Sequence, residues 1–133
     1  MKHNVLFFVT FLLIIGCAGT MEKELERATS PDKSIDAVLV AEMHGGAAGS
    51  VTFSVYIVAK GKNKKYKSEE QVFEATGLKG HKLSWLDKDI LEIKYSTARI
   101  LHFRNYIVPT GRDKSNSIEI RETPLTPPPS FEH

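Results

Sequence analysis

Between residues 35 and 60 the chain alternates strictly enough to limit what it can become. Ile35, Ala37, Leu39, Ala41 and Met43 fall on one side of an extended chain, and Asp36, Val38, Val40 and Glu42 on the other. After the break His44-Gly45-Gly46-Ala47-Ala48-Gly49, the residues Val51, Phe53, Val55, Ile57 and Ala59 alternate against Thr52, Ser54, Tyr56, Val58 and Lys60. A period of two places side chains on the two faces of a strand, whereas a helix would need a period near 3.6. Two such runs joined by a glycine-rich loop predict an antiparallel hairpin. Val38 and Val40 make the first run apolar on both faces, which predicts a second layer or a closed sheet.

The rest of the chain repeats the pattern in shorter units. Ser30-Pro31-Asp32-Lys33-Ser34 is a turn by its chemistry, since proline presets φ and the aspartate and serine side chains bond nearby amides. Residues 71–75, 81–85, 90–95, 99–108 and 117–121 read as further strands, separated by polar or glycine-containing turns. Residues 60–67, which hold Lys60, Lys62, Lys64, Lys65 and Lys67 around Tyr66, read as a solvated loop; the functional alternative is attraction to anionic headgroups. About seven short strands without a helical period predict an all-β domain over residues 31–122. The expected architecture is a small antiparallel meander forming a sandwich or half-open barrel. Residues 17–30 are charged and offer little to bury, so they predict a polar tether. Residues 123–133, rich in proline, predict an extended tail.

Composition narrows the function. The formal net charge is +2, which argues against nucleic acid as a partner. A single cysteine forms no internal disulfide, so the hydrophobic core alone must hold the fold. His44, His81 and His102 do not stand at metal-ligand spacing, and no metal or cofactor is expected. Neither Ser50 nor Ser84 lies in a nucleophile-elbow sequence, and the loop at residues 45–49 lacks the lysine and hydroxyl ending of a phosphate loop. An enzyme would need His81, His102 and a carboxylate such as Glu92 to converge. The candidate partner-binding residues are His44, Gly45 and Gly46 in the glycine-rich loop, with Arg99, Arg104 and Tyr106 along the 99–108 strand.

The N-terminal segment opens with Lys2 and His3 and continues into an apolar run over residues 5–15. As a helix this run covers only about 16 Å, too short for a hydrocarbon core of about 30 Å. A positive start, a short apolar stretch and small residues after it read as a signal peptide over residues 1–16. Ile14-Ile15-Gly16-Cys17 resembles the lipobox of bacterial lipoproteins: an aliphatic residue, a tolerant position, a small residue and cysteine. The resemblance implies cleavage between Gly16 and Cys17 and a diacylglyceryl group on the Cys17 sulfur. Acyl chains at about 0.8 kcal/mol per buried methylene then anchor the protein. Ala18, in place of the aspartate that usually retains lipoproteins at the inner membrane, resembles an outer-membrane address in a Gram-negative host.

Two further likenesses lie in the domain. Ser30-Pro31-Asp32-Lys33 before an aliphatic strand looks like the start of a β-propeller blade, and Trp85-Leu86-Asp87-Lys88-Asp89 echoes it, but one domain of this size cannot close a propeller. SPDKSIDAVLV, the GGAAGS loop, YIVAKGK and Ala98-Arg99-Ile100-Leu101-His102-Phe103 are similar to a group of small uncharacterised bacterial proteins with an SPDGK-DAVVV…GGAT pattern. That likeness implies a domain boundary and no activity. The expectation is a membrane-anchored lipoprotein of the cell envelope that works by binding an envelope protein. The alternatives are an inhibitor or immunity-type lipoprotein that neutralises one enzyme, and, less favoured, a small enzyme.

Overall fold

A computed structural model describes residues 19–45 and 49–125. The signal peptide, Gly16 and Cys17, Gly46, and the tail beyond Leu125 lie outside the described residues. Among the described residues there are nine strands: β1 (Met21–Thr29), β2 (Ile35–His44), β3 (Ser50–Ala59), β4 (Gln71–Lys79), β5 (Lys82–Asp87), β6 (Ile90–Tyr95), β7 (Thr97–Phe103), β8 (Tyr106–Ile107) and β9 (Ile118–Pro124). They form two sheets, ordered β1-β2-β3-β4-β7 and β5-β6-β9-β8, which do not close into a barrel. The domain is an all-β sandwich.

The hairpin predicted between residues 35 and 60 is present, with Ile35 opposite Ala59 and His44 opposite Ser50. Its faces fall as the alternation requires. Ile35, Ala37, Leu39, Val55 and Ile57 enter the main core, and Phe53 packs against it. The other layer contributes Leu83, Leu91, Ile93, Tyr95, Ile107, Ile118 and Ile120. On the outer face of the first sheet Val38, Val40, Tyr56 and Val58 form a second, smaller cluster, closed by Tyr66. The lysine-rich segment is therefore more than a solvated loop. It folds back over the sheet and stacks Tyr66 on Tyr56, with ring centroids 4.9 Å apart and planes at 17°.

The structure departs from the expected meander in three places. First, residues 21–29, read as part of a tether, form edge strand β1, paired with β2 from Met21–Met43 to Thr29–Asp36. An edge strand has one free side, so charged residues such as Glu22, Lys23 and Glu24 stay exposed on it, and little apolar period survives to be read. Second, residues 99–108 are not one strand. The chain leaves the first sheet at Arg104, whose amide donates to the Val72 carbonyl at 2.8 Å, and joins the second at Asn105, whose carbonyl accepts from the Ile120 amide at 2.8 Å. Third, β9 runs on to Pro124 and lies parallel to β6, with Leu91 opposite Ile120 and Tyr95 opposite Pro124. Parallel neighbours need a long connection, which residues 96–117 supply. Thr123 and Pro124 thus belong to the sheet and not to the tail.

The two layers are closed on one side by β1 and β5. Glu26 accepts from the Leu83 amide at 2.8 Å and lies 2.9 Å from His81 Nδ1, while the Trp85 indole donates to the Ala28 carbonyl at 2.8 Å. On the opposite side the chain itself crosses from β7 to β8. Phe73, at the centre and fully buried, should dominate the packing. Phe73→Ala is expected to lower the unfolding free energy by about 3–5 kcal/mol, and Phe53→Ala, half-buried at the core's margin, by less. Urea unfolding measures both, and equal losses would contradict this placement of the core.

Candidate functional site

Asp36 lies near the start of β2, on the outer face at one end of the first sheet, with 2% of its surface exposed. A carboxylate this buried needs donors, and three reach it. Arg27 Nη1 donates to Oδ2 at 2.7 Å, the Thr29 hydroxyl to Oδ1 at 2.7 Å, and the Gly61 amide to Oδ2 at 2.9 Å. Burial alone would raise this carboxyl, but the Gly61 amide, the Thr29 hydroxyl and the Arg27 guanidinium outweigh it and hold Asp36 below the ordinary carboxylate range. Gly61 adopts φ +84°, a conformation that glycine reaches without strain, and so turns its amide inward. Arg27 also forks onto Glu24, with Nε and Nη2 each 2.8 Å from a carboxylate oxygen, and Nη2 donates to the Lys62 carbonyl at 2.8 Å. This network holds β1 and the lysine-rich loop to β2. Its groups are mutually satisfied, and it is structural.

A cavity of about 350 Å³ opens at the end of the sandwich beside that loop, between the start of β2, the end of β3 and Pro109 to Arg112. Three of its charged groups, Lys62, Glu70 and Arg112, are already engaged. Lys62 Nζ donates to both Glu70 oxygens at 2.7 and 2.9 Å, and Arg112 bonds the Ser34 hydroxyl and lies 3.5 Å from Asp32. Asp32 in turn accepts from the Ser30 and Ser34 hydroxyls and the Ser34 amide, which hold it down to about 2. That cavity braces the turn at residues 30–34.

A second, wider hollow of about 520 Å³ lies where the chain crosses between the sheets, lined by Phe103, Arg104, Asn105, Tyr106 and Val108. Arg104 Nη1 donates to the Glu69 carbonyl at 3.2 Å, so the guanidinium is steered without meeting a carboxylate. Tyr106 is 64% exposed. An aromatic ring, a cation and apolar walls on a backbone bonded to both sheets suit a side chain from another protein.

Of the residues singled out from sequence, Arg104 and Tyr106 meet at this hollow. Arg99 lies farther along β7 and is exposed. His44 and Gly45 lie at the other end of the first sheet; His44 Nε2 is 3.5 Å from the Thr52 hydroxyl. His81, His102 and Glu92 do not converge. His81 faces Glu26, Glu92 meets Lys94 and Thr123 on the second sheet, and His102 is the cross-strand partner of Glu74 on the first. Among the described residues no group of three histidine, cysteine or carboxylate side chains is placed to hold a metal ion, and no helix is long and apolar enough to cross a membrane. Sequence reasoning passed over Phe103 and Val108 as lining residues, because their meeting depends on the chain's passage from one sheet to the other, which no local pattern signals. Comparison with protein-family models, curated proteins and solved structures found no match.

The Asp36 network makes a pH-dependent contribution. Asp36→Ala leaves Arg27 on Glu24 and the Lys62 carbonyl but removes the acceptor of the Gly61 amide and the Thr29 hydroxyl, and is expected to cost about 1–3 kcal/mol at neutral pH. Because the folded-state pKa is depressed, that contribution is complete above the ordinary carboxylate value of about 3.9 and fades as pH falls through the lower, folded value. Unfolding midpoints of the two proteins should converge in acid; a gap that stays constant would show that the charge contributes nothing.

Proposed function

We propose that this chain is an exported lipoprotein, held to a membrane through acylated Cys17, whose β-sandwich binds a protein of the cell envelope and performs no catalysis. In a Gram-negative host it faces the periplasm from the outer membrane. The observation that supports binding is the contrast between the two edges of the first sheet. Edge β1 presents Glu22, Lys23 and Glu24 in succession, a density of charge that discourages pairing with another strand. Edge β7 reads Thr-Ala-Arg-Ile-Leu-His-Phe, with Arg99 and Leu101 exposed, and it ends at the hollow formed by Arg104 and Tyr106. An extended segment of a partner adds to β7 by main-chain hydrogen bonds, and one of its side chains enters the hollow. Tyr106 supplies the contact area and Arg104 selects an acidic or carbonyl-bearing group.

Two experiments test the reading. Cys17→Ala is expected to leave the protein unacylated and released from the membrane fraction; a variant that stays with the membranes through a salt wash would remove the lipid anchor from the account. A photocrosslinking residue in place of Leu101 should capture one partner in intact cells, and Tyr106→Ala should abolish the adduct. The same residue in place of Leu25, on edge β1, should capture nothing. Equal capture from both edges would argue against β7 as the docking strand.

A further inference from the structure

At the end of the first sheet opposite the hollow, three exposed apolar side chains stand in one row. Met21 is the cross-strand partner of Met43, and Met43 of Val51. Directly paired residues point to the same face, with Cβ atoms about 4.5–5.5 Å apart. That face is the core side: Met43 continues the series Ile35, Ala37, Leu39, Ala41, and Val51 the series Phe53, Val55, Ile57. Yet none of the three is buried: Met21 is 67% exposed, Met43 37% and Val51 39%. The first sheet therefore carries its apolar face past the cover of the second. Leu125, 54% exposed, stands at the same end, because its amide donates to Tyr95 and Tyr95 leads through Ser96 into Thr97, the partner of Lys79.

Two observations identify what covers this row. The first is the length of chain between it and Cys17. Because β1 begins at Met21, only residues 18–20 intervene, and four residue steps span at most about 14 Å. The second is charge. Lys23, on the core-side face, and Lys79 and Lys82 are exposed toward the same end, while Glu22 and its partner Glu42 lie on the opposite face of the sheet. Apolar side chains rimmed by lysines match a bilayer interface carrying anionic headgroups. We propose that the row of Met21, Met43 and Val51 rests on the membrane, so that the lipid anchor and the end of the sheet together fix the orientation of the domain. This rests on the acylation of Cys17. It sets the sandwich upright, with the hollow at Arg104 and Tyr106 turned away from the bilayer, toward the partner.

The test uses the full acylated protein, purified from bacterial membranes and reconstituted into phosphatidylcholine–phosphatidylglycerol vesicles with or without acyl chains brominated near the headgroup. Mass measurement of the N-terminal peptide first reports whether Cys17 is acylated. Tryptophan is then introduced as Met43→Trp and separately as Val51→Trp, both at exposed positions that tolerate a larger side chain, with Val108→Trp as the distal control. The Trp85 emission of the unsubstituted chain is subtracted. We expect brominated lipid to lower the added emission about twofold at positions 43 and 51, as for a ring seated in the interface, and to leave position 108 unchanged. Acylated Cys17 with no quenching at 43 and 51, or with equal quenching at 108, overturns the orientation while leaving the anchor in place. An unmodified Cys17 overturns the anchor and the orientation together.

Discussion

Strand β2 is buried on both faces, and the rest of the domain is arranged around that constraint. From Ile35 to Ala41 each residue is at least nine-tenths withdrawn from water. Its inner side is covered by the second sheet, as in any sandwich. The outer side has no third layer, so the chain improvises one from the lysine-rich loop. Tyr66 lies flat on Tyr56 over Val38, Val40 and Val58, while Lys64, Lys65 and Lys67 around it stay exposed and Lys62 pairs with Glu70. Asp36 is the exception within this strand, and it is also the reason the cover is registered. A carboxylate so deeply buried is stable only with its donors in place, and the donors come from the two segments that must be held, Arg27 and Thr29 of β1 and Gly61 of the loop. The same group that costs solvation thus specifies which edge strand and which loop close the sheet.

That arrangement leaves the two sides of the sandwich unlike each other. Along β1 and β5 the layers are joined by side chains, through Glu26 with His81 and Leu83 and through Trp85 with Ala28. Along β7 and β8 they are joined by the chain itself, with Arg104 bonded to one sheet and Asn105 to the other. The first side is charged and consolidated. The second offers a strand edge and a hollow with an exposed tyrosine. The ends differ too, since the row of Met21, Met43 and Val51 and the hollow lie at opposite ends of the first sheet. One end of the module thus carries an exposed apolar row and the other an open hollow.

Much of this was legible in the residues. The alternation from Ile35 to Ala59 located the central hairpin and both of its faces, because pairing register and side-chain direction are local consequences of a two-residue period. Val38 and Val40 signalled that the outer face needed a cover. What covered it was hidden, since Tyr66 among five lysines has the composition of a solvated loop. The candidate site was half legible. Arg104 and Tyr106 stood out as polar residues on an apolar strand, but Arg99 was grouped with them by the alternation, and the chain turns the corner only after Phe103. Edge strand β1 escaped notice because an edge need not be apolar on both faces, and its charges are satisfied by Asp36 and His81, residues distant in sequence.

The sequence by itself determined the class of fold, the central hairpin and the reliance on a core without disulfides, since these follow from short-range periodicity and from a count of one cysteine. Tertiary structure alone decided that residues 21–29 join the sheet, that β9 lies parallel to β6, and that Arg104 and Tyr106 share a hollow while His44 lies at the far end. Each of those depends on which distant segment supplies the missing hydrogen bonds, and a backbone or a buried carboxylate accepts any donor that the packing of the whole chain brings within reach.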